Sequence, residues 1–423
     1  MTSSERQGEW HSGLMRRVRN CARVRLLCAT PVLLAACGGG GGGNDPGGSG
    51  GDGSSGRATG GGSSEAGFAG GDQANAGDAG ESAGFGGNAG NAGAAGNGSG
   101  GAGAAGAAGA AGAAGTSPTS PSCATGPSLG CGPSSESCCT SLPIPGGQYF
   151  RSYDALTFTD QSHPASVTGF ALDKYEVSVG RFRQFVAAVV GSWRPASGSG
   201  KRADLNLGNG RVNVGPAGGS EAGWDAAWDA QLASTTAGWK ANLACADGAT
   251  WTATAGKNER LPITCINWYD ALAFCIWDEG RLPSEAEWNE AASGGMEQRV
   301  YPWSSPASSP TIDCAHANYH GALGPDYCVA PGTGAANPVG SESPLGDGRW
   351  GHADLAGNAF EWVFDADSPY TPSCPDCIYF EAVPNHVVRG GSYNNDASFL
   401  LGSARRASGA ADRAGNIGVR CAR

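Results

Sequence analysis

The sequence predicts a loop-rich α+β domain, tied by disulfides, in the C-terminal part of a chain of 423 residues. Three observations predict this fold class. The chain before residue 122 is mostly too rich in glycine and too poor in apolar residues to form a core. An even number of cysteines, twelve, follows that point. Beyond it, the hydrophobic pattern marks only short helices and short strands between Gly, Pro, Asn and Asp.

The first 37 residues have the pattern of a targeting segment. Five arginines between positions 16 and 25 precede an apolar stretch, Leu26 to Ala36, that is too short to span a bilayer. Small residues directly before Cys37 resemble a lipoprotein box. The resemblance implies a signal peptide at 1–36, lipidation of Cys37 and a membrane-lipid partner. It also implies an outer-membrane lipoprotein of the cell envelope that faces the periplasm or the cell surface. An ordinary signal peptide with an incidental cysteine is the alternative.

A linker is predicted at residues 38–122. This segment holds 34 of the 73 glycines, two phenylalanines and no Val, Ile, Leu, Met, Trp or Tyr. Such a composition is typical of a disordered, flexible coil. The linker therefore holds a folded head away from the membrane.

The charge balance bears on the class of partner. The chain has 38 acidic and 27 basic residues, a formal net charge of −11. An acidic surface repels phosphates, so nucleic acid is excluded as the expected partner.

The twelve cysteines after the linker are typical of an exported protein with up to six disulfides, whose connectivity the spacing leaves open. Residues 123–144 form a cysteine-rich collar before the main domain at 145–423. Cys374 and Cys377 form a C-x-x-C, which is compatible with a redox pair, half of a metal site or a plain disulfide. The exported location favours the plain disulfide.

Helix signals recur along the head. Ser178 is a good N-cap for an amphipathic stretch that ends at Gly191. Asn267 precedes a second apolar stretch, and Ser284 with Glu287 forms a capping box for a third. Short β-branched runs at 386–388 and 417–419 predict strands.

Residues 145 to 423 contain an ordered set of short motifs. They are DKYEV at 173–177, WYDA at 268–271, GRLPSEAEW at 280–288, YPW at 301–303, ANY at 317–319, PVG at 338–340, DLAGNAFEW at 354–362, RGGSY at 389–393 and NIGVRC at 416–421. The set resembles the formylglycine-generating enzyme family, the sulfatase-modifying factors. The resemblance implies a fold related to C-type lectins and a disulfide between Cys275 and Cys421.

The same resemblance implies calcium as a cofactor. One family site falls on Asp354, Gly357, Ala359 and Glu361, which offer the carboxylate and carbonyl oxygens that Ca²⁺ prefers. Asn318 and Tyr319 match the start of a second site, for which Asp326 is the candidate acidic partner. A hydrogen-bonded turn without metal is the alternative for Asp354 and Glu361.

The family's catalytic cysteines are missing. Its oxidases use O₂ and a Cu(I) ion held by two thiolates to oxidise a cysteine in a Cys-x-Pro-x-Arg motif. The two positions hold Asn395 and Leu400 here, so the sequence does not predict copper. Arg405 stands where the family has a further, structural cysteine.

Two classes of function therefore remain open. The first is a non-catalytic, calcium-stabilised recognition module for a peptide, protein or glycan, with Arg389, Ser392 and Tyr393 lining the former groove or forming only a structural turn. The second is an enzyme of altered chemistry that acts on exported proteins. Its candidate residues near the groove are Asn395, Asp396, Arg405 and Arg406.

Overall fold

The computed structural model describes residues 115–116, 120–124, 130–321, 328, 335–381 and 384–423. The predicted signal peptide, Cys37, nearly all of the predicted linker and Asp326 lie outside the described residues. Within the described ranges, every helix is too short or too polar to cross a membrane.

The helices of the described chain are short and separated by long loops. They are α1 Pro121–Ala124, α2 Val179–Val190, α3 Thr236–Asn242, α4 Trp268–Trp277 and α5 Glu285–Ser293. Short 3₁₀ helices lie at Asn206–Gly208, Ala226–Gln231, Lys257–Arg260, Gly295–Glu297 and Ala397–Leu400.

The three helices predicted from the sequence begin where their caps indicate. Ser178 Oγ accepts a hydrogen bond from Arg181 N at the start of α2, and Gly191 follows its last residue. Asn267 caps α4, and Ser284 with Glu287 forms the complete capping box of α5. These predictions are confirmed because a cap depends only on residues within one turn.

The strands form two larger sheets and two small ribbons. One sheet has the order β1-β4-β5-β8, the other β11-β10-β7-β12, and the ribbons are β2-β3 and β6-β9. Their bounds are β1 Gly115–Thr116, β2 Gly130–Cys131, β3 Glu136–Ser137, β4 Thr140–Phe150, β5 Pro164–Asp173, β6 Val212–Asn213, β7 Phe360–Ala366, β8 Cys374–Pro375, β9 Cys377–Ile378, β10 Asn385–Arg389, β11 Arg405–Gly409 and β12 Ile417–Gly418.

Strand β4 crosses the boundary at residue 144 that separates the predicted collar from the predicted domain. It pairs in antiparallel register with β5, from Ser141 opposite Asp173 to Phe150 opposite Pro164. The end of the collar is therefore part of the domain's first sheet.

The sheet β11-β10-β7-β12 separates two apolar clusters. Side chains of a strand alternate between its faces. Phe360, Trp362 and Phe364 of β7 pack with residues of α2 and α4, whereas Val363 packs with α5 and the β4–β5 pair. On β10, Val388 belongs to the first cluster and Val387 to the second. Short helices and sheets around these clusters confirm the predicted α+β, loop-rich fold.

All twelve cysteines after residue 122 are paired. The disulfide between Cys275 and Cys421, the pair implied by the family resemblance, ties α4 to the end of the chain. The remaining pairs are Cys123–Cys139, Cys131–Cys138, Cys245–Cys265, Cys314–Cys328 and Cys374–Cys377.

Candidate functional site

The two positions that the resemblance assigns to copper thiolates lie in different surroundings. Leu400 ends a 3₁₀ turn, is fully buried and packs with Tyr301 and Leu401. Asn395 is half-buried, and its amide N–H donates to Ser392 O at 3.0 Å. Neither side chain offers a sulfur, and every cysteine of the head is used in a disulfide. The residues present therefore do not fit a thiolate-bound copper ion.

Asn395 lines a polar cleft of about 490 Å³. The cleft lies beside the β11-β10-β7-β12 sheet, and the segments around residues 394 and 414 contribute to its wall. Its size is that of a small-molecule site. The lining residues are Phe360, Asn385, Val388, Asn394, Asn395, Arg406, Ala407, Ser408, Gly409, Asp412, Ala414, Asn416 and Ile417.

Ser392 lies next to the side-chain amides of three asparagines at this cleft, Asn394, Asn395 and Asn416. Its buried hydroxyl lies within hydrogen-bond distance of the carboxamide oxygens of Asn394 and Asn395. The hydroxyl also accepts from Asn416 Nδ2 at 3.0 Å, and Asn416 Nδ2 donates to Asn394 Oδ1 at 2.9 Å. The hydroxyl has a single proton, so it donates to only one of the two oxygens at a time, and Asn416 Nδ2 supplies a donor to Asn394.

None of the three predicted groove residues, Arg389, Ser392 and Tyr393, is in the lining of this cleft. Arg389 is fully buried and pairs with Glu285, with 3.3 Å between Nε and Oε1. Val388 faces the cleft, so its neighbour on β10 points to the opposite face of the sheet. Tyr393 is also buried, and its hydroxyl donates to Gly415 O at 3.5 Å.

The residues considered for an altered enzyme are also separated. Arg405 turns to Glu285, with 2.8 Å between Nε and Oε1, and Asp396 caps the next turn by accepting from Ser398 N at 3.0 Å. Arg406 does line the cleft, and its guanidinium lies 5.6 Å from the centre of the Phe399 ring. Sequence reasoning missed Asn394, Asn416 and Asp412, although Asn416 stands in a family motif.

The residues predicted to bind calcium form two groups. In the first, Gly357 has φ +88°, and an added Cβ would lie 2.5 Å from Asn318 O. Asn358 N donates to that same carbonyl at 2.9 Å, and Ala359 N donates to Glu176 Oε1 at 2.9 Å. The loop after Asp354 and the segment at Asn318 are therefore in direct contact. Tyr319 follows as a largely buried residue whose carbonyl accepts from Cys328 N at 3.2 Å.

Glu361 is the second group by itself, because its carboxylate is bound by other side chains of the protein. Its buried carboxylate pairs with Arg420, with 2.7 Å between Oε1 and Nη2, and accepts from Trp288 Nε1 at 2.7 Å. The guanidinium already compensates its charge, so this side chain does not fit the predicted calcium site.

Asp354, Glu342 and Glu176 carry carboxyl groups without an ion-pair partner among the described residues. Burial, followed by the charge of Glu342, raises the pKa of Asp354 to about 8, and burial also raises the pKa of Glu342. Burial, followed by the charge of Asp354, raises the pKa of Glu176 well above its usual value. Glu342 Oε2 and Asn318 Oδ1 are buried and have no hydrogen-bond partner. Asn337 Nδ2 donates to Glu342 Oε1 at 2.5 Å. Asn337 N and Asn318 Nδ2 both donate to Asn358 Oδ1, at 2.8 and 3.2 Å, so Asn358 connects the segments of Glu342 and Asn318.

These oxygens fit a hard cation in donor chemistry. Asn318, Glu342 and Asp354 are the side chains that would hold it, and Glu342 was missed because it lies outside every motif. No group of three or more His, Cys, Asp or Glu side chains in the described ranges has the arrangement of a metal centre.

The ordered motifs, the loop-rich α+β fold and the Cys275–Cys421 disulfide agree with the class of a sulfatase-modifying-factor-like domain, here without the thiolate pair. Residues 131–423 match the family described as "Sulfatase-modifying factor enzyme 1-like domain". The chain belongs to that family, which confirms the resemblance inferred from the motifs.

Among the curated relatives of this chain, some are named as enzymes and others are named as inactive. The formylglycine-generating enzyme of Mus musculus is 27% identical over 319 residues, which cover 71% of this chain and 79% of the relative. The enzyme of the same name from Streptomyces coelicolor is 29% identical over 282 residues, covering 62% and 80%. The "Inactive C-alpha-formylglycine-generating enzyme 2" of Mus musculus is 30% identical over 172 residues, which cover 38% of this chain and 49% of the relative. Among solved structures, PvdO from Pseudomonas aeruginosa aligns with a TM-score of 0.44 and 19% identity, covering 67% of this chain and 94% of that one.

Proposed function

We propose that this protein is a non-catalytic recognition module that binds its ligand in the amide-lined cleft. The observation that carries the proposal is the replacement of both thiolate positions, by Asn395 and by the buried Leu400. Cu(I) needs soft sulfur ligands, and neither an amide nor an aliphatic side chain supplies one. A polar cleft lies beside Asn395, and the hydrogen bonds among Ser392, Asn394 and Asn416 order part of its wall.

The relatives add support for loss of catalysis within this family. A curated relative named as inactive is 30% identical to this chain over the matched part. Domains that keep a scaffold and lose its chemistry commonly retain a binding surface on their loops. We extend the proposal to display on the cell envelope, with lipidated Cys37 as the anchor and the glycine-rich segment as the tether for an exported peptide, protein or glycan ligand.

The proposal predicts no copper-dependent oxidation. The purified full chain, supplied with Cu(I), O₂ and a peptide containing Cys-x-Pro-x-Arg, is expected to leave the peptide cysteine unchanged and to consume no oxygen. An oxygen electrode and peptide mass spectrometry measure both results. The mouse formylglycine-generating enzyme, assayed in parallel, is the positive control. Peptide-dependent oxygen uptake by this chain would contradict the proposal.

We further propose that calcium stabilises the head through Asn318, Glu342 and Asp354. A bound dication would supply the positive charge that these buried carboxyls lack, and it would give Asn318 Oδ1 a partner. Its contribution here is structural, because a ligand that binds only the native state raises stability by mass action.

Calcium is therefore expected to raise the melting temperature of the chain, and EGTA is expected to reverse the effect. Glu342→Gln should remove most of the calcium-dependent rise, because it removes one ligand charge. Differential scanning calorimetry with and without calcium measures it. Glu297→Gln is the matched control, because Glu297 is an exposed carboxylate outside the proposed calcium ligands. This variant should keep the full response to calcium. An unchanged calcium response in the Glu342 variant would show that calcium stabilises the chain at a site that does not include Glu342.

A further inference from the structure

We propose that the cleft beside Asn395 binds a carboxylate group of its ligand and that Arg406 is the residue that pairs with it. The inference rests on the proposed recognition function and adds the chemical class of the ligand. Three features of the cleft carry it: an unpaired guanidinium, two oriented amide donors and a shape without an exposed aromatic platform.

The guanidinium of Arg406 is available at the cleft wall. Arg406 stands directly opposite Val388 in the β10–β11 pair, so both side chains point to the cleft face of the sheet. Its guanidinium lies over the ring of Phe399, and no described carboxylate comes within ion-pair distance of it. Its neighbour Arg405, by contrast, is engaged by Glu285. A guanidinium with five donors binds a carboxylate in a fork geometry, which makes it a natural anchor for an acid.

The amides of the opposite wall are arranged as donors. The carboxamide oxygens of Asn394 and Asn395 turn to Ser392, and their Nδ2 groups make no hydrogen bond to any described residue. Each carboxamide nitrogen carries two N–H donors. The free donors of both side chains therefore add to those of Arg406, and the ligand group that matches them is an acceptor with negative charge.

Two other lining residues, Phe360 and Asp412, bear on which ligand groups the cleft can bind. Phe360 is 4% exposed, so it offers the cleft no ring face on which a neutral sugar would stack. Asp412 is the one carboxylate among the described lining residues, and it caps the neighbouring turn by accepting from Gly409 N at 3.0 Å. The negative charge of Asp412 repels a bound carboxylate. Removal of this charge should therefore strengthen acid binding, whereas removal of the Arg406 charge should weaken it.

The experiment uses the full chain labelled with ¹⁵N and two pairs of matched probes. N-acetyl-glutamate methylamide and methyl galacturonate supply a carboxylate from a peptide and from a sugar. N-acetyl-glutamine methylamide and methyl galactoside are their neutral partners. Titrations follow the side-chain amide signals of Asn394 and Asn395, assigned by substitution.

At least one acid is expected to shift both amide signals and to bind tenfold or more tightly than its neutral partner. Arg406→Gln should weaken that acid by about tenfold or more, the range of a charge-assisted hydrogen bond. Asp412→Asn should tighten it. Arg260→Gln, which removes an exposed arginine outside the cleft, should leave it unchanged. The acid that binds identifies a peptide or a sugar as the source of the carboxylate.

Two results would overturn the inference. Equal binding of acid and neutral probes, or unchanged acid binding after Arg406→Gln, would show that the cleft does not select a carboxylate, while the recognition function would stand. Failure of both acids to shift the amide signals at millimolar concentration would also reject the carboxylate site. The oxidation assay described above judges the non-catalytic function independently of these titrations.

Discussion

Loss of the Cys275–Cys421 disulfide is expected to lower the free energy of unfolding by about 5 kcal/mol. The bond joins residues 146 apart in sequence, so it removes a large amount of chain entropy from the unfolded state. Both sulfurs lie in the fully buried main cluster, where α4 meets the last residues of the chain. Guanidinium unfolding of the variant Cys275→Ala with Cys421→Ala, under non-reducing conditions, measures the loss.

The Cys374–Cys377 pair is a matched control for this prediction. Its cysteines are also buried, but they are only three residues apart, so the same entropy argument gives a loss of about 2 kcal/mol. The variant Cys374→Ala with Cys377→Ala creates similar small cavities. Equal losses in the two double variants would show that cavity formation outweighs the loop-closure effect.

Local features of the fold were predictable from the sequence, whereas pairings across the chain were not. Ser178 and Ser284 act within one helical turn, so their positions were sufficient to place the starts of α2 and α5. Cysteine spacing left the disulfide pattern open, because each bond depends on where the fold brings two distant segments. The Cys275–Cys421 pair came from the family resemblance alone.

The candidate site shows the same division. Motif matching placed Asn395 and Leu400 at the former thiolate positions, but it grouped Arg389 with Ser392 in one groove. The register of β10 in the sheet decides to which face the side chain of Arg389 points, and the face opposite the cleft is the one observed. Likewise, the partner of Glu361 is Arg420, 59 residues away, which no local pattern indicates.

Glu287 is the centre of the most extensive buried ion network that touches α5. It is 1% exposed, and its carboxylate binds Arg281 at 2.6 Å, Arg202 at 2.8 Å and Arg211 at 3.0 Å. The carboxylate also accepts from Ser284 N at 2.8 Å as part of the capping box. One carboxylate thus pairs with three buried guanidinium groups, of which Arg211 also pairs with Glu221 and Arg202 also pairs with Asp204.

Substitution of Glu287 by Gln is expected to lower the free energy of unfolding by about 3–5 kcal/mol, because it keeps the shape but leaves the buried Arg281 without an ion-pair partner among the described residues. Arg211 keeps Glu221 and Arg202 keeps Asp204 in this variant. Glu297→Gln is the matched control. Glu297 is exposed and pairs with Arg299 and Arg349, so its loss should cost less than about 1 kcal/mol. Urea unfolding of both variants at neutral pH measures the difference, and equal losses would contradict a dominant role for the buried network.

The pH dependence of that difference provides a sharper test. Burial alone would raise the pKa of Glu287, but Arg281 and Arg211 overcome it and lower the pKa from 4.5 to about 2. A carboxyl group with a lowered native pKa stabilises the fold above its unfolded pKa and loses that effect as it takes up a proton in the folded protein. The stability gap between the native chain and Glu287→Gln should therefore be full at neutral pH and shrink as the pH falls from 4.5 towards 2. Paired carboxylates that share no arginine with Glu287 act equally in both proteins and cancel in the difference. A gap that stays constant across this range would mean that Glu287 stabilises α5 by its shape and hydrogen bonds instead of by its charge.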